Sequence, residues 1–238
     1  MNFLSFFNKL KNPIVVDIHS HLLPGIDDGV KTLQESINII KRFQLLGYSK
    51  LITTPHIMQD IYPNNREIIS EKLSDVQAEI EKHHIDITLE ASAEYYLDSN
   101  FLQLIEDDEL IPFMKHYILF ETPTITAPFI LEVAIKALLE KGYIPVLAHP
   151  ERYIYLHQDI NKYKELKAMG VLFQVNIKSL LDSKKPIYKI ALQLINSGLV
   201  DFIGSDTHRI RDIQKLEKVT KSRLYKKLLE KNKIINNL

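Results

Sequence analysis

Apolar runs of strand length alternate along this chain with longer segments that turn apolar every third or fourth residue. The run at 14–19, Ile-Val-Val-Asp-Ile-His, predicts a first strand. Thr32 with Glu35 three residues on reads as a capping box, and Leu33, Ile37 and Ile40 follow at helical spacing. Gly47 is a natural stop for that helix. A second strand is expected over 51–54 and a second helix over 68–82. From 85 to 93, Ile85, Ile87, Leu89, Ala91 and Ala93 alternate with Asp86, Thr88, Glu90 and Ser92, the period of two that marks a strand. Further strands are expected at 117–120, 144–148, 171–177 and 199–204. Helices are expected near 128–141, 160–169, 186–197 and 213–229.

Seven strand–helix alternations without a break in composition imply one domain, over 14–238, with a mainly parallel sheet. Residues 1–13 precede it as an amphipathic extension. Parallel strands need helical cover, so the sheet is either open and doubly wound or closed as a barrel. The seven glycines are scattered and form neither Gly-x-Gly-x-x-Gly nor a P-loop. That removes the two commonest nucleotide sites of open sheets and favours a barrel.

Charge and cysteine content narrow the chemistry. Lys plus Arg equals Asp plus Glu at 30 each, so the footprint of a non-specific nucleic-acid binder is missing. With no cysteine there is no disulfide, thiolate zinc site, iron–sulfur cluster or thiol nucleophile. No apolar stretch approaches the roughly 20 residues of a membrane span. The first residues carry their lysines after the apolar positions, the wrong order for a secretory signal. A cytoplasmic protein without a transmembrane segment is expected.

Five of the nine histidines fall at or just past the end of an expected strand: His19 and His21, His56, His149 and His208. Carboxylates accompany them: Asp27 and Asp28, Glu94, Glu121 and Asp206. In a (β/α) barrel all strand ends converge on one face, and mixed imidazole–carboxylate clusters hold divalent metals. Each signal has a plainer reading. Asp27-Asp28-Gly29 reads as a turn, and Asp206-Thr207-His208 as a helix cap beside a surface histidine. Glu94 shares the polar parity of Glu90 and could face solvent, and Glu121 could be a solvated strand end. His83, His84, His116 and His157 read as structural or exposed.

Jointly, His19-Ser20-His21, Thr54-Pro55-His56, Ala93-Glu94-Tyr95-Tyr96, Phe120-Glu121, His149-Pro150-Glu151-Arg152-Tyr153 and Ser205-Asp206-Thr207-His208 resemble the polymerase-and-histidinol-phosphatase (PHP) superfamily. The stretch His19-Ser20-His21-Leu22-Leu23-Pro24-Gly25-Ile26-Asp27-Asp28-Gly29 is similar to its bacterial protein-tyrosine phosphatase branch, found in capsule and exopolysaccharide operons. The resemblance runs from about Val16 to Arg209. It implies a distorted (β/α)7, TIM-like α/β barrel with three divalent ions, manganese first, iron or zinc being compatible with the donors. By matching positions, His19, His21, Glu94 and Asp206 would hold one ion. Glu94 would bridge to a second, completed by Glu121 and His149. Asp28, His56 and His208 would hold the third. Arg152 matches a phosphate-contacting arginine, and a second such arginine would be Arg209 or Arg211, where the local sequence departs from the pattern.

The implied activity is hydrolysis of phosphotyrosine on proteins by a metal-bound hydroxide. The implied substrate is the phosphorylated tail of a bacterial tyrosine kinase that controls polysaccharide synthesis. A PHP enzyme acting on histidinol phosphate, a nucleotide or another small monoester keeps the fold and changes the substrate. A binding module that retains metals or phosphotyrosine affinity without turnover is the reading from a different class.

Overall fold

The first strand is held by its neighbours more than by its own length. In the computed structural model, which describes residues 13–157 and 159–238, β1 spans only Val16–Asp17. It is followed by α1 (Leu33–Leu45), β2 (Lys50–Thr53), β3 (His56–Ile57), α2 (Arg66–Lys82), β4 (Thr88–Ala91), β5 (Glu94–Tyr96) and α3 (Ser99–Glu106). Then come β6 (Tyr117–Glu121), α4 (Leu131–Glu140), β7 (Ile144–Ala148), α5 (Ile160–Ala168), β8 (Leu172–Asn176), α6 (Pro186–Asn196), β9 (Phe202–Gly204), α7 (Ile210–Thr220) and α8 (Arg223–Lys231). The amphipathic segment expected over 1–13 lies, Pro13 apart, outside the described residues.

All ladders between these strands are parallel, in the orders β1-β2-β4 and β3-β5-β6-β7-β8-β9. The two sheets are one barrel. β2 and β3 are halves of one rail, interrupted at Thr54-Pro55, where proline has no N–H to give. β4 and β5 are halves of the next rail. Ser92 N donates to Thr53 O at 2.9 Å and Glu94 N to Pro55 O at 3.0 Å, so the two broken rails stay paired across their gaps. The circuit closes where Ser20 bridges Thr207, with His21 N donating to Thr207 O at 2.9 Å and Asp206 N to His19 O at 2.8 Å. Seven rails result, the distorted (β/α)7 barrel anticipated above.

Inside the barrel Val16, Ile18, Ile52, Leu119, Val146, Ala148 and Phe202 form a cluster of their own, closed off by Phe113 and Tyr117. Their strand neighbours Leu51, Ile118, Phe120, Leu147 and Ile203 belong instead to the larger core that also takes in the helices. The period of two thus sorts each strand between barrel interior and helical layer. These side chains fill the interior of the barrel.

The lower β1–β9 seam is closed by a side chain. Asn236, fully buried, donates to Val16 O at 3.0 Å and Ile203 O at 2.7 Å and accepts from Ile203 N at 2.9 Å. Asn232 does similar work at Val200 N and Ile195 O. Asn236→Ala leaves three buried backbone groups without partners, and each such loss costs about 1–3 kcal/mol when unrelieved. Urea unfolding of this variant is expected to show a loss of about 3 kcal/mol; under about 1 kcal/mol, the asparagine is dispensable to closure.

Three local expectations change. The strand expected over 85–93 breaks at Ser92-Ala93, where pairing moves from β2 to β3. The break separates two glutamates of one parity: Glu90 stays outside on Lys50 at 2.7 Å, while Glu94 is buried. The helix expected over 213–229 is two helices, because Ser222 stops one and caps the next by accepting from Tyr225 N. α3 was not anticipated. Its signal was present in Asp98, which caps by accepting from Phe101 N at 2.8 Å, and in the spacing of buried Phe101 and Ile105.

Candidate metal centre

Every rail except β8 delivers at least one donor to the open mouth. His19 and His21 follow β1, His56 opens β3, Glu94 opens β5 and Glu121 ends β6. His149 follows β7, and Asp206 and His208 follow β9. His149 and Asp206 have φ of +35° and +48°, strained for residues with a Cβ. That strain sits where the strand end must turn a donor inward.

Glu94 is the hub. Its Oε2 lies 3.1 Å from His19 Nε2, 3.4 Å from His21 Nε2 and 3.3 Å from His56 Nδ1, and its Oε1 lies 2.9 Å from His149 Nε2. Asp206 Oδ1 lies 3.8 Å from His19 Nε2, 3.7 Å from His21 Nε2 and 3.2 Å from His208 Nδ1. At the rim, Asp28 Oδ1 lies 3.3 Å from His208 Nε2 and 3.5 Å from His56 Nε2. Glu121 Oε1 lies 3.3 Å from His56 Nδ1, and its Oε2 3.8 Å from His149 Nε2. All nine candidate donors therefore meet in one place.

Four overlapping sets have their donor atoms within 4.8 Å of one another: His21, Asp28, His56 and His208; His19, Glu94 and His149; His19, His21 and Asp206; and His56, Glu94 and Glu121. The resemblance would put His21 with His19 and Asp206. The geometry also offers it to the Asp28 group.

A second layer aims these rings. His19 Nδ1 and Gln174 Oε1 are 2.6 Å apart, and Gln174 Nε2 donates to Asn176 Oδ1 at 2.9 Å. Asn176 Nδ2 in turn donates to Asp206 Oδ2 at 2.6 Å. His21 Nδ1 lies 2.8 Å from Asp27 Oδ2. Holding Nδ1 in this way leaves Nε2 for an ion. Close approach demands glycine beneath both rings. A Cβ on Gly204 would sit 2.7 Å from His19 Cβ, and one on Gly29 2.3 Å from His21 O.

The charge state fits a cation site. Burial works against charge on Glu94, but His19 and His56 hold its carboxyl well below the usual range. Burial and the Glu94 charge together push Glu121 well above it. Burial would depress His19, yet Glu94 and Asp206 raise it to about 9. His149 is lowered to about 4 by burial and by Arg152, which leaves it a neutral imidazole. Crowding buried carboxylates and imidazoles together is costly without a cation. Buried His149 Nδ1 and His56 Nδ1 also lack hydrogen-bond partners. The donor set, hard carboxylates with imidazoles, suits divalent ions.

A family model described as capsular polysaccharide synthesis, CpsB/CapC, matches residues 15–235. The chain belongs to the CpsB/CapC family. The CapC protein of Staphylococcus aureus is 32% identical over 198 residues, covering 82% of this chain and 78% of CapC. The tyrosine-protein phosphatase CpsB of Streptococcus agalactiae is 30% identical over 204 residues, covering 82% of this chain and 84% of CpsB. A crystal structure from work on YwqE of Bacillus subtilis and CpsB of Streptococcus pneumoniae, described as unique metal-dependent tyrosine phosphatases, superposes with a TM-score of 0.79. It is 27% identical and covers 92% of this chain and 96% of its own.

In this CpsB/CapC chain the donors open into a cavity of about 750 Å³. Arg152 lines it and is partly exposed, with Nη1 3.8 Å from Asp206 Oδ2. Arg209 and Arg211 are exposed and do not line it. Its other cations are Lys178, Lys185 and Lys215. Sequence reasoning missed Gln174, Asn176 and Lys178, and it counted Asp27 among the carboxylates near the histidines while reading it most simply as a turn residue. Asp27 does accept from Gly29 N at 2.8 Å, as a turn aspartate should, while its other oxygen orients His21. His83, His84, His116 and His157 do not line the cavity or enter any of the donor sets.

Proposed function

We propose that this protein is a metal-dependent protein-tyrosine phosphatase whose substrate is the phosphorylated tail of a cytoplasmic bacterial tyrosine kinase in capsule synthesis. The observation that carries this reading is the meeting of nine donors and Arg152 at one open mouth. Three divalent ions, manganese first, are proposed on the donor partition given above: His19, His21, Glu94 and Asp206; Glu94, Glu121 and His149; and Asp28, His56 and His208. When bound, such ions offset charge on phosphoryl oxygens and make water nucleophilic at neutral pH.

The remaining work falls to the chain's own groups. Gln174 and Asp27 hold the imidazoles of His19 and His21 in register. The Arg152 guanidinium makes no hydrogen bond to the described residues, so its donors are free for phosphate oxygens. Tyr62 lies flat against His56, with centroids 5.6 Å apart and planes 14° apart, and it lines the cavity beside Met58 and Ile61. This apolar wall suits the ring of an aryl phosphate. A phenol leaves readily, so the protein needs no strong general acid. Among the described residues no helix is long and apolar enough to cross a membrane.

The test is turnover of a phosphotyrosyl peptide against histidinol phosphate and a nucleoside monophosphate, with manganese supplied. The peptide is expected to lead in kcat/KM by about tenfold or more, the scale of one aromatic contact. Preference for histidinol phosphate or the nucleotide would move the substrate to the small-ester reading. No turnover of any of them would leave a binding module.

A further inference from the structure

The second phosphate-contacting cation expected at Arg209 or Arg211 has no place in the cavity, yet a different cation does. Lys178 follows β8, on the short turn Ile177–Leu180, and lines the cavity. It donates to Asp206 O at 2.6 Å and lies 2.9 Å from Asp206 Oδ2. Arg152 Nη1 approaches that same oxygen at 3.8 Å from the other loop. Sharing one oxygen puts the two cations within about 7 Å of each other, close enough for one phosphoryl group to take charge-assisted bonds of about 2.8 Å from both. An ammonium has three donors, and the two contacts to Asp206 leave one N–H for the cavity.

The neighbouring lysines are worse placed. Lys215 is tied to Asp212 Oδ1 at 2.8 Å, and Lys185 is exposed. Lys178 alone joins a fixed position, a spare donor and adjacency to Arg152. Its anchoring also limits the entropy lost when an oxyanion arrives.

We propose that Lys178 is the second phosphate-binding residue of this protein, gripping the phosphoryl group opposite Arg152 in place of an arginine after the last strand. This rests on the phosphatase reading, and the measurements separate the two. Calorimetry with inorganic phosphate on the manganese-loaded protein reads the grip without turnover, and metal analysis of each variant reads the state of the Asp206 site.

Lys178→Ala is expected to weaken phosphate binding about tenfold to a hundredfold, the scale of one bond to a charged group, and to raise KM for phosphopeptide in step, with metal content unchanged. Lys178→Arg is expected to hold phosphate within about threefold of wild type, since charge and donors return. Arg209→Ala combined with Arg211→Ala is expected to leave phosphate affinity within about twofold, as neither lines the cavity.

Unchanged phosphate affinity in Lys178→Ala would overturn the assignment. So would loss of metal from it, which would make Lys178 a positioning residue for Asp206. Should Lys178→Ala fail to fold, Lys178→Gln removes the charge but keeps amide donors, and wild-type phosphate affinity there refutes the proposal equally. A wild type that binds phosphate but does not hydrolyse phosphopeptide would refute the phosphatase reading and leave the calorimetric comparison to decide Lys178.

Discussion

Glu94→Gln is expected to lower kcat on a phosphotyrosyl peptide by about a thousandfold or more, and metal analysis of the purified variant should show fewer ions per chain. The substitution keeps the shape of the side chain and removes only its charge. That charge faces four imidazoles at 2.9–3.4 Å, and the group is almost wholly buried. Two of the proposed ion positions share it, so both weaken together. Losing Lewis-acid stabilisation of several kcal/mol corresponds to about three decades in rate. A variant with a full metal complement and kcat within tenfold of wild type would show that Glu94 is not a ligand.

Stripping the metals is expected to abolish turnover and to lower the melting temperature by about 5–10 °C, with manganese restoring both. The reasoning is charge balance. Asp28, Glu94, Glu121 and Asp206 are brought together in one mouth, and burial with the Glu94 charge disfavours the charged form of Glu121. Ions that bind only the folded chain stabilise it by about 2.7 kcal/mol when present at a hundred times Kd. For a domain of this size each kcal/mol is worth about 2–4 °C. Melting curves and turnover measured on the same chelator-dialysed sample check this. Full activity with an unchanged curve would remove the ions from the reaction. A restored curve without restored turnover would point to a metal-holding binding module.

Legibility in the sequence followed the range of the interactions concerned. The Thr32–Glu35 box capped α1 as read, because a cap is written within four residues. Six strands fell near their expected places for the same reason, since period and burial are local patterns. The histidines at strand ends were readable as a set, because parallel rails bring every C-terminal end to one face whatever their exact register.

Other features had no local signature. Glu90 and Glu94 are alike in type and parity, and only the switch of pairing at Ser92-Ala93 sends one to Lys50 and the other inside. Gln174 and Asn176 look like ordinary strand polars until β8 lies between β7 and β9 and faces His19 and Asp206. Asn236 closes a seam with a residue 220 positions away.

Composition, spacing and motif thus set the fold class, the donor types and the chemistry those donors can support, since each depends on residue identity and near neighbours. Which donor meets which, which ring nitrogen stays free and which cation faces the cavity came from barrel closure. Those are distances between rails, and no single stretch of chain contains them.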